Sequence, residues 1–224
     1  DALVVLRAFD NESVFGARAD LFNKPFIAKL MYFVRILPMV RQRDGLRNVL
    51  KNNETQEVIV EILENKVRFC MYPEGKHRPA HSLQALGKGT FRAALAANSK
   101  FGEKMPVYIV PAGIEYGDYF RYRSTSLLTF GEPINVTEFV KELDTENDVQ
   151  MIEPLRKELS ARMSKLITFL KDDENLYKKW ALTKMLAIDK GLDYGNFGTS
   201  LYKSMLENRA IASSIDNACE EKAS

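Results

Sequence analysis

Apolar positions along this chain fall into two patterns, and the alternation between them stops near residue 136. Short, nearly continuous runs at Ser13–Ala19, Ile36–Val40, Val67–Tyr72, Pro106–Ile114 and Ser126–Phe130 have the length and residue types of strands. Stripes at three- and four-residue spacing lie between them and predict helices. One runs from an Asp20 cap, past Pro25, to about Arg35, with Phe26, Ile27, Leu30, Met31 and Val34 on one face. A second spans about Leu46 to Asn65, and a third, rich in alanine, runs from Phe91 to Ala97. The opening segment Asp1–Phe9 is also apolar and starts on a capping residue. Pro106–Ile114 is the kind of run that is buried on both faces. The fold class expected is therefore α/β, a mainly parallel sheet flanked by helices on both faces. From Val136 the pattern is helical only. Ile152, Leu155, Leu159, Met163, Leu166 and Leu170 make one stripe, and Leu176–Ile188, with Trp180, makes another. Signals weaken beyond Gly191, and Ala212–Ser224 reads as a frayed tail. The chain thus divides into an α/β domain, residues 1–136, and a helical C-terminal region, residues 137–224.

Composition changes this picture little. A hydrophobic share of 46% supports a sizeable core, and 32 basic against 30 acidic residues leave a net charge of +2. The distribution is more telling: residues 1–100 carry 16 basic and 10 acidic groups, and the remainder 16 and 20. That excess suits an anionic ligand or surface and is too diffuse for nucleic acid. Two cysteines, Cys70 and Cys219, give no disulfide framework and suggest a reducing compartment. No run of about 18 apolar residues is present to span a membrane. The chain opens without Met inside a structured element, so truncation at the N terminus is expected.

Three familiar motifs fail. Gly87-Lys88-Gly89-Thr90 lacks the first glycine of a phosphate loop and has Gly89 where Ser or Thr belongs. His77 and His81 have the spacing of a zinc pair, but Pro79 between them argues against a helix, and no metal site is expected. There is no Gly-x-Ser-x-Gly elbow. The ends of the predicted strands remain. Arg41 and Arg43 follow the second strand, Glu74 and Gly75 the third, with Lys76, His77 and Arg78 beyond, and Pro111 closes the fourth. Parallel strands bring such ends to one rim. Two guanidiniums there could clamp a phosphate while a carboxylate orders them, or the set could be a salt-bridged surface rim.

The order of these stretches resembles the lysophosphatidic acid and glycerol-3-phosphate acyltransferase family. Leu37–Arg43 is similar to that family's strand ending in Arg, Met71-Tyr-Pro-Glu-Gly75 to its Phe-Pro-Glu-Gly-Thr-Arg block, and Ile109-Val-Pro-Ala-Gly113 to its strand with a central Pro. Phe130-Gly-Glu-Pro-Ile134 and Leu86-Gly-Lys-Gly89 resemble two further stretches, and the likeness covers about residues 1–136. Asp1 falls at the acidic end of the His-x-x-x-x-Asp block, which puts the catalytic His, with four residues between, before this chain begins. After Gly75 the family's Thr-Arg is replaced by Lys76-His77, with Arg78 one place late. The resemblance implies acyl transfer from acyl-CoA or acyl carrier protein to a hydroxyl of glycerol-3-phosphate or a lysophospholipid. Asp1 would orient the His, Arg41 and Arg43 would hold the phosphate, and Glu74, Gly75, Lys76 and Arg78 would shape the pocket. Pro111 would form part of its wall. No metal or bound cofactor is implied, and residues 1–224 alone are expected to be inactive. A product that stays in the bilayer implies peripheral binding at a cytoplasmic membrane face. The Pro25–Arg35 helix is the candidate contact, against the alternative that it packs on the sheet. Two other readings stand beside this one: a non-catalytic module that binds phospholipid or an acyl carrier, and an interaction protein organised on the Ile152–Leu170 stripe.

Overall fold

The computed structural model describes residues 2–8, 12–39, 47–75, 81–117, 125–143, 147–192 and 201–223. After a short helix α1 (Ala2–Ala8), the first apolar run becomes β1 (Ser13–Arg18), the middle strand of a three-stranded parallel sheet. A single 3-10 turn (Ala19–Phe22) and α2 (Pro25–Phe33) lead to β2 (Ile36–Met39), which pairs with β1 from Phe15 opposite Ile36 to Arg18 opposite Met39. The long helix α3 (Arg47–Glu64) then returns the chain to β3 (Arg68–Cys70) on the other side of β1, with Ser13 opposite Arg68. The strand order is β2-β1-β3. Gly16 lies at the centre of the sheet because a Cβ there would meet the Met39 side chain at 2.8 Å and Phe69 at 3.4 Å.

α4 (Gly89–Phe101) packs on α3, and its alanines 93, 94 and 97 are buried, as close helix packing requires. The apolar run expected as one strand at Pro106–Ile114 is divided. It yields β4 (Tyr108–Ile109) and β5 (Ala112–Tyr116), on either side of Pro111. Neither joins the parallel sheet. β5 pairs antiparallel with β6 (Ser126–Phe130), and β4 pairs antiparallel with β7 (Ile134–Asn135). Proline has no N–H to give a ladder, so the run cannot pair continuously through position 111. The α/β class holds, with its parallel part made of β1, β2 and β3.

α5 (Val136–Glu142) is capped by the Asn135 side chain, which accepts from the Glu138 N–H. In α6 (Asp148–Ser164), Met151, Ile152, Leu155 and Leu159 are buried, so that part of the stripe is covered by this chain, and Met163 beyond it is half-buried. The helix ends at Ser164. Leu170, read as the end of that stripe, is instead buried in a non-helical stretch, where its N–H donates to the His81 carbonyl at 2.7 Å. α7 (Leu176–Asp189) follows as expected. The expected frayed tail is a helix, α8 (Leu201–Ala223). Ala212 packs with Leu170 and Leu176, and Ile211 and Ile215 pack with Ala187. Buried Lys179 on α7 pairs with Asp216 on α8 and with Asp173.

The chain forms two compact units that interleave in sequence. One comprises residues 1–75, 87–109 and 134–156 and holds the parallel sheet. Phe15, Phe91, Ile134, Val136 and Leu155 are among its fully buried side chains. The other comprises residues 76–86, 110–133 and 157–224, with the β5–β6 pair, α7 and α8.

Candidate functional site

A strand order of β2-β1-β3 makes the connection after β1 run one way and the connection after β2 run back past it. The carboxyl end of β1 is thus a topological switch point, where open α/β sheets form their ligand crevice. Three segments leave that rim. Arg18 ends β1 and Asp20 follows it, the two joined by a forked ion pair in which Arg18 Nε reaches Asp20 at 3.0 Å. The residues after β2, 40–46, lie outside the described residues, and after β3 comes Met71–Gly75.

The turn after β3 is built tightly. Gly75 sits at φ 61°, a left-handed conformation that costs a side-chain-bearing residue about 1–2 kcal/mol, and its N–H donates to the Tyr72 carbonyl at 3.2 Å. The Pro73 carbonyl accepts from the Gly87 N–H at 2.7 Å. A Cβ on Gly87 would stand 3.2 Å from that carbonyl oxygen, and one on Gly89 3.6 Å from Met71 Cε. Gly87–Gly89 is therefore laid against Met71–Pro73, and the approach is tight at Gly87, where a side chain would crowd the Pro73 carbonyl. Burial pushes the Cys70 thiol up to about 11, so it stays protonated and is no nucleophile. Burial also raises the Tyr72 phenol, with Cys70 adding to the effect.

Pro111 belongs to the other unit. Its ring is fully buried, and its carbonyl accepts from the Gly131 N–H at 2.9 Å. A Cβ on Gly131 would meet Pro111 Cγ at 3.1 Å, and one on Gly113 would meet the Leu166 carbonyl oxygen at 2.7 Å. Arg162 holds the same region by donating to the Glu132 and Pro133 carbonyls, each at 3.0 Å, and to Glu158 at 2.7 Å. Pro111 is thus the buried partner of Gly131. Nearby, the Glu115 carboxylate accepts from the Thr168 N–H, and burial raises its pKa against that bond.

Of the residues singled out from the sequence, Glu74, Gly75 and Pro111 are described, and Asp1, Arg41, Arg43, Lys76 and Arg78 lie outside the described residues, as does His77. His81 is stacked on Trp180, ring centroids 3.5 Å apart. Arg18 was passed over in the sequence. The signal was a cation closing the first strand run, the counterpart of Arg41 after the second. An open depression of about 260 Å³ lined by Glu12, Val14, Arg35, Glu61, Ile62, Asn65 and Val67 lies at the amino ends of the three strands, the opposite rim. Its charges are partly matched already, since Arg35 pairs with Glu12 at 2.9 Å.

Comparison with known proteins bears on the same stretches. The acyltransferase family model matches residues 1–115, just over half of the chain. Glycerol-3-phosphate O-acyltransferase 2 of Saccharomyces cerevisiae is 28% identical over 111 residues, which is 50% of this chain and 15% of that relative. The matched part therefore spans a small fraction of the yeast protein's length. The matched residues 1–115 contain the whole parallel sheet, the Glu74-Gly75 turn and the Gly87–Gly89 stretch laid on it, and by that match the chain belongs to the acyltransferase family.

Proposed function

We propose that the protein takes part in moving an acyl group from a thioester, acyl-CoA or acyl carrier protein, to a hydroxyl of glycerol-3-phosphate or a lysophospholipid. The observation that carries this reading is the close seating of Gly87–Gly89 on Met71–Pro73 at the carboxyl rim of a parallel sheet, inside the family match. In the reaction the acceptor oxygen attacks the thioester carbonyl carbon while a general base takes its proton. The new C–O bond forms, the C–S bond breaks, and the thiolate leaves and is protonated. A His five residues before Asp1, oriented by the Asp1 carboxylate, would be the base. That His is not among residues 1–224, so these residues alone are expected to bind substrate without turning it over. Arg41 and Arg43 would take the phosphate, with Lys76 and Arg78 sharing its charge. Arg18, at the end of the middle strand, joins this set. Glu74 would order the guanidiniums. The donor is itself the activated species, so this chemistry needs no bound cofactor.

The acceptor or product is a lipid, which suits a cytoplasmic membrane surface reached from outside the bilayer. No helix among the described residues is long and apolar enough to cross a membrane.

Calorimetric titration of residues 1–224 with glycerol-3-phosphate tests the phosphate site, with glycerol as control. Binding of the phosphate but not of glycerol is expected, weakened about tenfold or more in Arg41→Ala and Arg43→Ala, since a charge-assisted hydrogen bond contributes about 1.5–3 kcal/mol. Equal binding of both titrants would overturn the site. Acyl transfer by residues 1–224 would overturn the assignment of the base.

A further inference from the structure

α2 connects β1 to β2, a position where a helix ordinarily turns its apolar stripe onto the sheet. Here it does not. At about 100° per residue, Phe26, Leu30 and Phe33 share a sector about 60° wide. These residues are 80%, 52% and 83% exposed. Tyr32, about 100° round the helix from Phe33 and with its ring 5.5 Å from that of Phe22, is 53% exposed, and Leu21 on the preceding turn is 46% exposed. Ile27 and Met31 take the opposite, half-buried side, and α2 has no buried residue at all. The stripe is also flanked by one sign of charge. Lys24 precedes Pro25 and Lys29 sits next to Phe26 on the helix surface, and no acidic residue occurs from 21 to 35. Large exposed aromatics on an isolated helix face are unfavourable in water, and an aromatic stripe fringed only by lysines matches an anionic lipid interface. A protein groove of mixed charge would ordinarily be met by acidic as well as basic rim residues, which this helix lacks.

We infer that α2 is a membrane-docking wedge, with Phe26, Leu30 and Phe33 entering the headgroup–acyl boundary of an anionic bilayer while Lys24 and Lys29 stay at headgroup level. The orientation follows from the sequence: the lysine stems can lie along the apolar surface with their ammonium groups among lipid phosphates. The wedge rests on the membrane-surface part of the function proposed above and is independent of the acyl-transfer part.

The test is co-sedimentation of residues 1–224 with vesicles of phosphatidylcholine alone and of phosphatidylcholine mixed with phosphatidylglycerol. The wild-type chain is expected to sediment with the mixed vesicles and only weakly with the neutral ones. Phe26→Ser/Phe33→Ser should lower partitioning about tenfold or more, given the size of the apolar area withdrawn. Lys24→Gln/Lys29→Gln should lose the preference for anionic vesicles. Circular dichroism and glycerol-3-phosphate titration should be unchanged in both variants, which separates failure of the wedge from failure of the phosphate site. Wild-type partitioning by the double serine variant would overturn the inference. So would reversible dimerisation of the wild type, abolished by the same variant, without vesicle binding, because the stripe would then meet a second copy.

Discussion

Gly113 touches the main chain of Leu166, and a methyl group there would stand 2.7 Å from a carbonyl oxygen that cannot rotate away. Gly113→Ala is expected to lower stability by about 1–3 kcal/mol, the range for overpacking a tight site, read as a fall in melting temperature. His81 gives a different kind of sensitivity. Its pKa is lowered from 6.5 to about 4, chiefly by burial and also by the nearby Lys184 charge, while a hydrogen bond to the Thr168 backbone opposes both. The unfolded chain then binds a proton that the folded chain refuses. The stability involved is present above pH 6.5 and is lost as pH falls towards 4, by about 3 kcal/mol at most. His81→Phe should flatten that part of the melting-temperature profile between pH 7 and pH 4, and an unchanged slope would remove His81 from the account. The residues that build the turn were legible for a local reason: Pro73, Glu74 and Gly75 are adjacent, and a glycine after a strand signals a left-handed turn. The contacts that finish it were not, because Gly87 reaches Pro73 across a loop whose path no local pattern encodes.

At the scale of elements, β1, β2 and β3 and helices α2, α3, α4 and α7 follow their apolar patterns closely, since each pattern is complete within its own segment. Two elements depart from theirs. The Pro106–Ile114 run is apolar throughout, yet Pro111 divides it and sends its halves into separate antiparallel pairs. α8 has a thin apolar stripe and is ordered by something its sequence does not announce, the seating of Asp216 against Lys179 and against the Lys171 N–H. Lys179 is only 4% exposed, and an ammonium so buried depends on its carboxylates. Asp216→Ala leaves it with Asp173 alone and should cost about 3 kcal/mol, since breaking a buried pair strands the remaining charge. Hydrogen exchange is the direct measurement. Faster exchange in α8, with β1 to β3 unaffected, is the expected outcome, and uniform protection would contradict it.

At the scale of the whole molecule, the chain passes from one compact unit to the other five times, so no single cut in the sequence separates them. Local patterning could mark where helices replace the strand–helix alternation, but it could not mark which segments return to which unit. That depends on contacts such as Gly131 with Pro111 and Leu170 with His81, made far along the chain. The same geometry has a spectroscopic consequence. Trp180 is the sole tryptophan of the 224 residues, and it lies stacked on His81 within one unit. Excitation at the red edge of protein absorption therefore interrogates that unit alone, and the parallel sheet is silent to it. An imidazolium is a far stronger quencher of indole emission than neutral imidazole, so the emission intensity also registers the proton on His81. A fluorescence titration thus carries two signals in one trace, a dimming when the ring charges and a red shift when the stack comes apart.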